Sequence, residues 1–200
     1  MEVENLLRQG SVLWRGGALY PDSGSGIATG FPSLDRHLAG RGWPRQAVIE
    51  ILSSRPGGAM LLLMPALATL SREAKQIVLI APPYIPYAPG FSLHGVDLTR
   101  LLLVKGRDEK ECLWVLEQVL GAGCGAAVYW PQRLSRIALR RLQLAAERGG
   151  GSGFLLRRPE LIPESTSAAL RLRVAAAGDT ADILKRRGGW PVEGIRLDGS

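Results

Sequence analysis

Short runs of apolar residues alternate along the chain with segments in which apolar residues recur at the spacing of a helix. An unbroken apolar run bounded by turn residues is typical of a strand buried on both faces. The alternation of such strands with helices through short connections indicates an α/β fold with a mostly parallel sheet flanked by helices. The sequence predicts strands at Val48–Leu52, Ile77–Ala81, Leu101–Lys105, Ala126–Trp130, Phe154–Arg157, Leu170–Ala175 and near Gly194–Leu197, and helices at Ala59–Leu70, Asp108–Leu120 and Leu134–Glu147.

The chain divides into three regions. Residues 1–28 are expected to form an N-terminal arm and linker, residues 29–176 hold the alternating strands and helices, and residues 177–200 form a C-terminal hairpin or tail. A length of 200 residues fits one domain with short extensions. We therefore expect one doubly wound α/β core preceded by an arm.

Composition excludes several classes of protein. With 46% hydrophobic and 22% charged residues, the chain has the balance of a water-soluble globular protein. The longest apolar run, Ala59–Leu70, contains Pro65 and is shorter than the ~20 residues of a membrane span. The acidic start Met1–Glu4 does not fit a secretory signal. Cys112 and Cys124 lack partners at metal-ligand spacing. We expect a cytoplasmic protein with no membrane partner and no metal.

Arginine dominates the positive charge. The net charge is +7, and 21 of the 25 basic residues are arginine, whose guanidinium suits bidentate contact with phosphate or carboxylate. Residues 131–173 carry nine arginines and three glutamates. This excess indicates a surface for a nucleic acid or for an acidic protein face. An arginine-rich surface that contacts only solvent is the alternative.

The helix predicted after Trp130 concentrates part of this charge. Arg133, Arg136 and Arg140 fall at i, i+3 and i+7, which predicts one exposed stripe, and Arg141 lies beside it. The stripe fits contact with phosphates or with a partner protein, and a solvated helix face fits it equally well. The face expected to pack on the sheet consists of Leu134, Ile137, Ala138, Leu142 and Ala145.

The turn after the first predicted strand has the layout of a phosphate-binding loop. Such a loop needs the pattern GxxxxGK[ST], with glycines for the backbone cradle, a lysine for the phosphates and a hydroxyl for Mg²⁺. Here Ser53 stands at the first glycine and Gly58, preceded by Gly57, at the second, but Ala59 replaces the lysine and Met60 the hydroxyl residue. The loop therefore lacks both strong anchors for a triphosphate.

Several motifs resemble the entry into a RecA-type recombinase core, over about residues 29–176. These motifs are Thr29–Asp35 (TGFPSLD), Gly40–Pro44 (GRGWP) and Val48–Ile51 (VIEI), followed by Gly95–Leu102, Ala138–Leu142 and the Phe154–Arg157 strand. Within that superfamily, Ala81–Pro89 and Leu184–Pro191 resemble the ImuA family, RecA-like accessory proteins of a bacterial mutagenesis system. That family is related to the cell-division inhibitor SulA.

The resemblance implies a RecA-like, P-loop-type core with a degenerate nucleotide site. Ala59 stands at the P-loop lysine, Pro83 at the carboxylate that would activate water, and Trp130–Pro131 at the Walker B aspartate. Phosphoryl transfer depends almost wholly on positioning and charge neutralisation. The three losses together predict a pseudo-ATPase that is not an enzyme and binds no cofactor.

Two basic segments are further candidate contacts. Arg157 and Arg158 precede Pro159–Ser167, the position that the resemblance assigns to a second DNA-binding loop; this loop contains Glu160 and Glu164 and is not glycine-rich, which argues against inherited DNA binding. In RecA relatives a segment of the K-x-R-x-G form reaches a neighbouring subunit's nucleotide. The segment that resembles it here is Lys185, Arg186, Arg187 and Gly188–Gly189, and a plain hairpin turn between two strands is the favoured alternative.

The proline-rich segment Pro82–Pro89 predicts a docking loop. It contains four prolines and two tyrosines, and proline fixes φ and removes a backbone donor. A stiff aromatic loop at the carboxyl end of a sheet fits a surface for another protein, which we assign to Pro83, Tyr84 and Tyr87. Filling of the vacated nucleotide site by the prolines is the alternative.

The resemblance to the ImuA family implies a non-catalytic adaptor, induced in the SOS response to DNA damage, that acts in translesion DNA synthesis. It implies three partners: RecA, an ImuB-type Y-family polymerase-like protein and an error-prone replicative-type DNA polymerase. Direct DNA contact and self-association stay open. The alternative is a SulA-like inhibitor of cell division acting on FtsZ, against which the N-terminal arm and the Lys185–Pro191 tail argue.

Overall fold

The computed structural model describes residues 26–161 and 165–198. The predicted N-terminal arm lies outside these residues except for its last three. There, Ile27 exchanges two backbone hydrogen bonds with Trp43, of 2.9 and 2.7 Å, and both side chains are buried. The end of the predicted arm is thus packed onto the core.

One mixed sheet of eight strands forms the centre of the described part of the chain. The strand order is β3-β2-β4-β5-β1-β6-β7-β8. All pairs from β3 to β6 are parallel, and the last two pairs are antiparallel. The strands are β1 (Val48–Leu52), β2 (Ile77–Ile80), β3 (Leu101–Val104), β4 (Ala126–Tyr129), β5 (Gly153–Arg157), β6 (Leu170–Val174), β7 (Thr180–Arg186) and β8 (Val192–Arg196).

Helices cover both faces of this sheet and enclose two cores. One core joins β1, β2 and β5 to the long helix α2, and the other joins the opposite face to α4 and α5. Both cores consist mainly of aliphatic side chains, as expected for parallel strands buried on both faces. The helices are α1 (Pro32–Asp35), α2 (Pro56–Arg72), α3 (Ala88–Leu93), α4 (Glu109–Gly121) and α5 (Arg136–Gly149).

The TGFPSLD motif fixes the segment before β1 against α2. Gly30 has φ +85°, and a Cβ on it would lie 2.5 Å from Cβ of Pro65 in α2. The backbone N–H of Thr29 donates to the carboxylate of Asp35 over 3.1 Å, and Leu34 is fully buried. The motif therefore has a packing role, because only glycine combines the left-handed backbone with this close approach.

The predicted α/β class with a mostly parallel sheet flanked by helices is confirmed, and the seven predicted strands agree with the structure to within about two residues. The strand Thr180–Arg186 is missing from the strand prediction, because only three of its seven residues are apolar and it lacks an unbroken apolar run of the kind that marks β2 and β4. The expected boundary at residue 176 falls in the turn between β6 and β7. The C-terminal hairpin thus continues the core sheet.

Candidate functional site

The six parallel strands β1 to β6 end at one edge of the sheet, which we call the carboxyl edge. Ligands of open α/β sheets bind at such an edge. Here the loops after β1, β2, β4 and β5 enclose a small cleft of about 100 Å³, which we call the central cleft. Its lining residues are Ser53, Ala59, Pro83, Tyr84, Trp130, Pro131, Gln132, Leu156, Arg157 and Arg158.

The central cleft brings together the three positions that the sequence resemblance aligns with catalytic residues. Ala59, Pro83 and Trp130–Pro131 all line it, although they are far apart in the sequence. Within the described part of the chain, none of the residues that line it is acidic or a lysine. A pocket for a small molecule usually has a volume of about 300–1,000 Å³, so the central cleft is small for a nucleotide.

The connection from β1 to α2 is shorter than the sequence predicts. The turn is expected to extend from Ser53 to Gly58, but α2 begins at Pro56, and Gly57 and Gly58 lie in its first turn. Proline is favoured at a helix start because its fixed φ suits the helix and its missing N–H is not needed there. The hydroxyl of Ser53 donates to the carbonyl of Arg55 (2.8 Å) and accepts from its N–H (3.1 Å). The connection is therefore only Ser53–Arg55.

An open apolar groove of about 370 Å³ adjoins the central cleft. It lies between α2 and the proline-rich loop after β2, and it contains the predicted docking residues Pro83, Tyr84 and Tyr87. Tyr84 is 73%, Tyr87 72% and Ile85 94% exposed. We call this surface the apolar groove, and its lining residues are Gly57, Met60, Leu61, Met64, Leu79, Pro82, Pro83, Tyr84, Ile85, Pro86, Tyr87, Phe91 and Trp130.

The proline-rich loop is held at both ends. The N–H of Ala81 donates to the carbonyl of Val104 over 2.8 Å, which ties the loop start to the edge strand β3. At the other end, the carbonyl of Tyr87 accepts from the N–H groups of Gly90 and Phe91, and the ring of Phe91 is buried. The loop therefore presents its exposed tyrosines from a fixed frame.

The predicted arginine stripe is exposed but begins before the helix. Ser135 caps α5, so Arg133 lies in the preceding loop, where its N–H donates to Glu109 over 2.7 Å. The side chains of Arg136 and Arg140 are exposed on α5. Arg141 pairs with Glu117 of α4 at 2.5 Å, which makes it part of a contact between the two helices.

The predicted packing face of this helix is partly wrong. Ile137 is 76% exposed, whereas Leu139, Gln143 and Ala146 are buried. The side-chain carbonyl of Gln143 accepts the first N–H of β1, at Val48, over 3.0 Å. A polar residue therefore occupies the centre of the buried face, and Ile137 falls on the opposite side of the helix.

Arg157 lies in the interior, which corrects its assignment as a surface contact. Its side chain is 3% exposed, and its guanidinium pairs with Glu50 of β1 at 2.8 Å. Arg171 of β6 pairs with the second oxygen of the same carboxylate at 2.7 Å, and Thr166 donates to it over 2.6 Å. The neighbouring Arg158 is exposed. The sequence signal for this network is a single glutamate within the apolar run of β1.

The three basic residues of the C-terminal hairpin contact the protein itself. The ammonium of Lys185 donates to the carbonyls of Thr166 (2.7 Å) and Ala168 (2.6 Å), and burial, aided by the charges of Arg187 and Arg171, lowers the pKa of Lys185. Arg186 donates to the carbonyls of Trp190 and His37, and Arg187 pairs with Glu147 at 2.7 Å. The turn between two C-terminal strands is as predicted. These cations secure the hairpin to the core.

The cysteines do not form a reactive site. Both are free and buried, and burial raises the pKa of Cys124 to about 12. Burial also raises the pKa of Cys112, with the charge of Glu111 adding to the shift. A raised pKa disfavours the nucleophilic thiolate. In the ranges 26–161 and 165–198, no group of three or more His, Cys, Asp or Glu side chains is arranged to hold a metal.

None of the helices in the described part of the chain combines the length and the apolar character that a bilayer-spanning segment requires.

Comparison with known proteins gives a family. No family model matches the sequence. The ImuA proteins of two Caulobacter vibrioides strains are each 33% identical over 168 residues, which cover 76% of this chain and 68% of the relative. A crystal structure of SulA from Pseudomonas aeruginosa matches with a TM-score of 0.47 and 30% identity, over 55% of this chain and 97% of that one. Because a third of the residues are identical over more than two thirds of both proteins in the Caulobacter comparison, the chain belongs to the ImuA family.

Proposed function

We propose that the chain is a non-catalytic adaptor in SOS-induced translesion DNA synthesis. The observation that carries the proposal is the lining of the central cleft, where Ala59, Pro83 and Pro131 meet. Each stands where the RecA-type pattern needs a charged side chain. A protein with this cleft acts through the partners it holds and not through nucleotide turnover.

The chemistry of phosphoryl transfer supports this proposal. The reaction needs cations on the transferred phosphoryl group and a carboxylate or amide that orients the nucleophile. Among the described residues that line the central cleft, Arg157 and Arg158 are the only charged ones, and Arg157 is already paired with Glu50. The described lining thus supplies no acid for a metal ion or for water, and the RecA-like core becomes a scaffold.

Membership of the ImuA family supports the proposed partners. They are RecA, an ImuB-type Y-family polymerase-like protein and an error-prone replicative-type DNA polymerase. The exposed Tyr84, Ile85 and Tyr87 at the carboxyl edge supply the aromatic and apolar side chains that are enriched in protein interfaces. The proposed activity is the assembly of these proteins at damaged DNA.

Two measurements test the proposed function together. The tagged chain is captured from DNA-damaged cells of its host, and the captured proteins are identified by mass spectrometry. The purified chain is assayed for ATP hydrolysis with single-stranded DNA, beside the host RecA as the active control. We expect RecA or an ImuB-type protein in the captured fraction and no hydrolysis above background. Hydrolysis by the chain, or recovery of FtsZ in place of these partners, contradicts the proposal.

The requirement for the chain is measured in the cell. Deletion of its gene is expected to lower the frequency of damage-induced mutations, and the full-length chain is expected to restore it. A frequency that deletion leaves unchanged contradicts a role in translesion synthesis.

A further inference from the structure

The apolar groove is open in a way that suits a protein segment better than a small molecule. A site for a small molecule buries about 70–90% of the ligand surface. Here the groove wall carries Tyr84, Ile85 and Tyr87, each at least 72% exposed, so the wall itself needs a cover. An incoming polypeptide covers both the groove and the outer faces of these side chains. The exposed apolar side chains of the wall therefore favour a polypeptide segment as the occupant of the groove.

Two arginines border the groove, each in a depression that adjoins it. The central cleft shares Pro83, Tyr84 and Trp130 with the groove and contains Arg158. A second depression, lined by Arg55 and by Ala175–Gly178, shares Gly57 and Leu61 with the groove. We call these three adjoining depressions the docking surface.

Among the described residues, the charge of the docking surface is positive. None of the described residues that line its three depressions is acidic. Within the described residues, the guanidinium of Arg55 makes one long contact, 3.5 Å to the carbonyl of Ala176, and no carboxylate pairs with Arg55 or Arg158. A partner segment that brings carboxylates to these two arginines would complement this field.

We infer that the docking surface binds an acidic segment of a partner protein, with an aliphatic or aromatic anchor in the apolar groove and carboxylates on Arg55 and Arg158. The inference rests on the proposed adaptor function and names the chemistry of the partner. Met60 and Met64 line the floor, and methionine side chains adapt to anchors of different shape. The groove accordingly accepts related segments that share an acidic, apolar pattern.

The shape of the surface distinguishes a peptide from other anionic partners. Single-stranded nucleic acid is bound through bases stacked on aromatic rings along a basic track. The groove instead has aliphatic side chains on its helix side, from Met60, Leu61 and Met64. A membrane surface requires a protruding apolar face that enters the lipid, whereas this face is concave. An apolar side chain of a peptide fits the concavity directly.

The test is an unbiased selection of twelve-residue peptides from a randomised display library on the full chain. We expect the enriched peptides to combine a large apolar residue with Asp or Glu on both sides. Their affinity is expected to fall about tenfold with Ile85→Ser and about tenfold with Arg55→Glu plus Arg158→Glu, in the range that truncated interface anchors and reversed charges produce. Leu93→Ser and Arg148→Glu are the matched controls, because both residues are exposed and outside the docking surface.

Other outcomes overturn the inference. They are enrichment of basic or uncharged peptides, enrichment of no peptide, equal binding to the Ile85→Ser chain, and tighter binding of a single-stranded oligonucleotide or an anionic vesicle at the same surface. Two further occupants of the groove can be distinguished. If removal of residues 1–25 raises the affinity for the peptides several-fold, that segment of the same chain occupies the groove. If the Ile85→Ser substitution converts a dimer in solution to a monomer, a second copy of the chain occupies it. Either result assigns the groove to the chain itself and contradicts a partner segment.

Failure of this inference and failure of the proposed function give different results. If deletion of the gene lowers damage-induced mutation but the selected peptides ignore the docking surface, the adaptor function stands and only the partner chemistry is wrong. If peptides bind as expected but deletion leaves the mutation frequency unchanged, the surface is real and the proposed function is wrong.

Discussion

The basic residues of this chain fall into two groups with opposite surroundings. Around β1, β5, β6 and the C-terminal hairpin, Arg157, Arg171 and Lys185 are held by carboxylates or carbonyls inside the protein. At the carboxyl edge and along α5, residues such as Arg158 and Arg136 are exposed and have no carboxylate partner among the described residues. The first group stabilises the sheet, and the second is available to a partner. The net charge of the chain therefore overestimates the basic surface that is exposed to a partner.

The largest expected effect comes from breaking the buried group. Glu50→Gln removes the charge that two buried arginines share, and we expect it to lower the free energy of unfolding by about 3–5 kcal/mol, because two buried guanidinium groups then lose the carboxylate that pairs with both. The measurement is urea unfolding followed by circular dichroism. Glu117→Gln is the control, since its partner Arg141 is exposed and such a pair contributes less than about 1 kcal/mol. Equal losses in both variants would contradict the division into two groups.

A smaller loss of stability is expected from substitution of Lys185, which is less deeply buried than Arg157 and Arg171. Lys185→Met keeps the length of the side chain but leaves the carbonyls of Thr166 and Ala168 without their donor. We expect the free energy of unfolding to fall by about 1–3 kcal/mol, the cost of unsatisfied buried polar groups. The thermal midpoint, compared with that of Lys105→Met at an exposed position, measures it. A Lys185→Met midpoint equal to that of Lys105→Met would show that the hairpin does not need these bonds.

Substitutions in the exposed wall of the apolar groove are expected to weaken binding to a partner without lowering the stability of the fold. The double change Tyr84→Ser with Tyr87→Ser is expected to weaken binding to the captured partner about tenfold or more, as loss of aromatic anchors does, and to leave the thermal midpoint within a few degrees. The dissociation constant is measured by calorimetry. Trp190→Ser is the control, because Trp190 is 86% exposed at the C-terminal hairpin. Loss of binding in Trp190→Ser alone would move the interface to the hairpin.

The smallest effect on stability is expected from the exposed Arg136 and Arg140 of α5. Arg136→Met with Arg140→Met should change the free energy of unfolding by less than about 0.5 kcal/mol, as is usual for surface positions. Urea unfolding measures it, with Arg171→Met as the destabilised reference. A large loss at Arg136 and Arg140 would show that these residues stabilise the fold and are not reserved for a partner.

The sequence predicts the centre of the sheet well because strands such as β2 and β4 are buried throughout and consist of unbroken apolar runs. Arg157 and Arg158 show what the sequence does not predict, which is whether a given arginine is buried or exposed. They are neighbours of one type, yet a strand places adjacent side chains on opposite sides, and the partner of Arg157 is Glu50, more than a hundred residues earlier.

The apolar groove was only partly predictable for a related reason. The prolines and tyrosines of residues 82–89 mark the loop, because their backbone and side-chain preferences are local. The helix side of the groove comes from the run Met60–Met64, in which every residue is apolar. Such a run has no periodicity to show that Leu61 is exposed while Leu62 and Leu63 are buried. That distinction appears only when the helix packs on the sheet.

The proline-rich loop also has consequences for the rate and the entropy of the proposed binding of a partner segment. Ala81 and Phe91 anchor its ends, and the prolines between them restrict its backbone before any partner arrives. Little ordering of this surface is needed on binding, so most of the entropic cost falls on the incoming segment. In the proposed complex, the positive charges of Arg55 and Arg158 would accelerate encounter, and differences in affinity among acidic segments would reside mainly in how slowly each one leaves. A preformed site of this kind selects its partners by residence time.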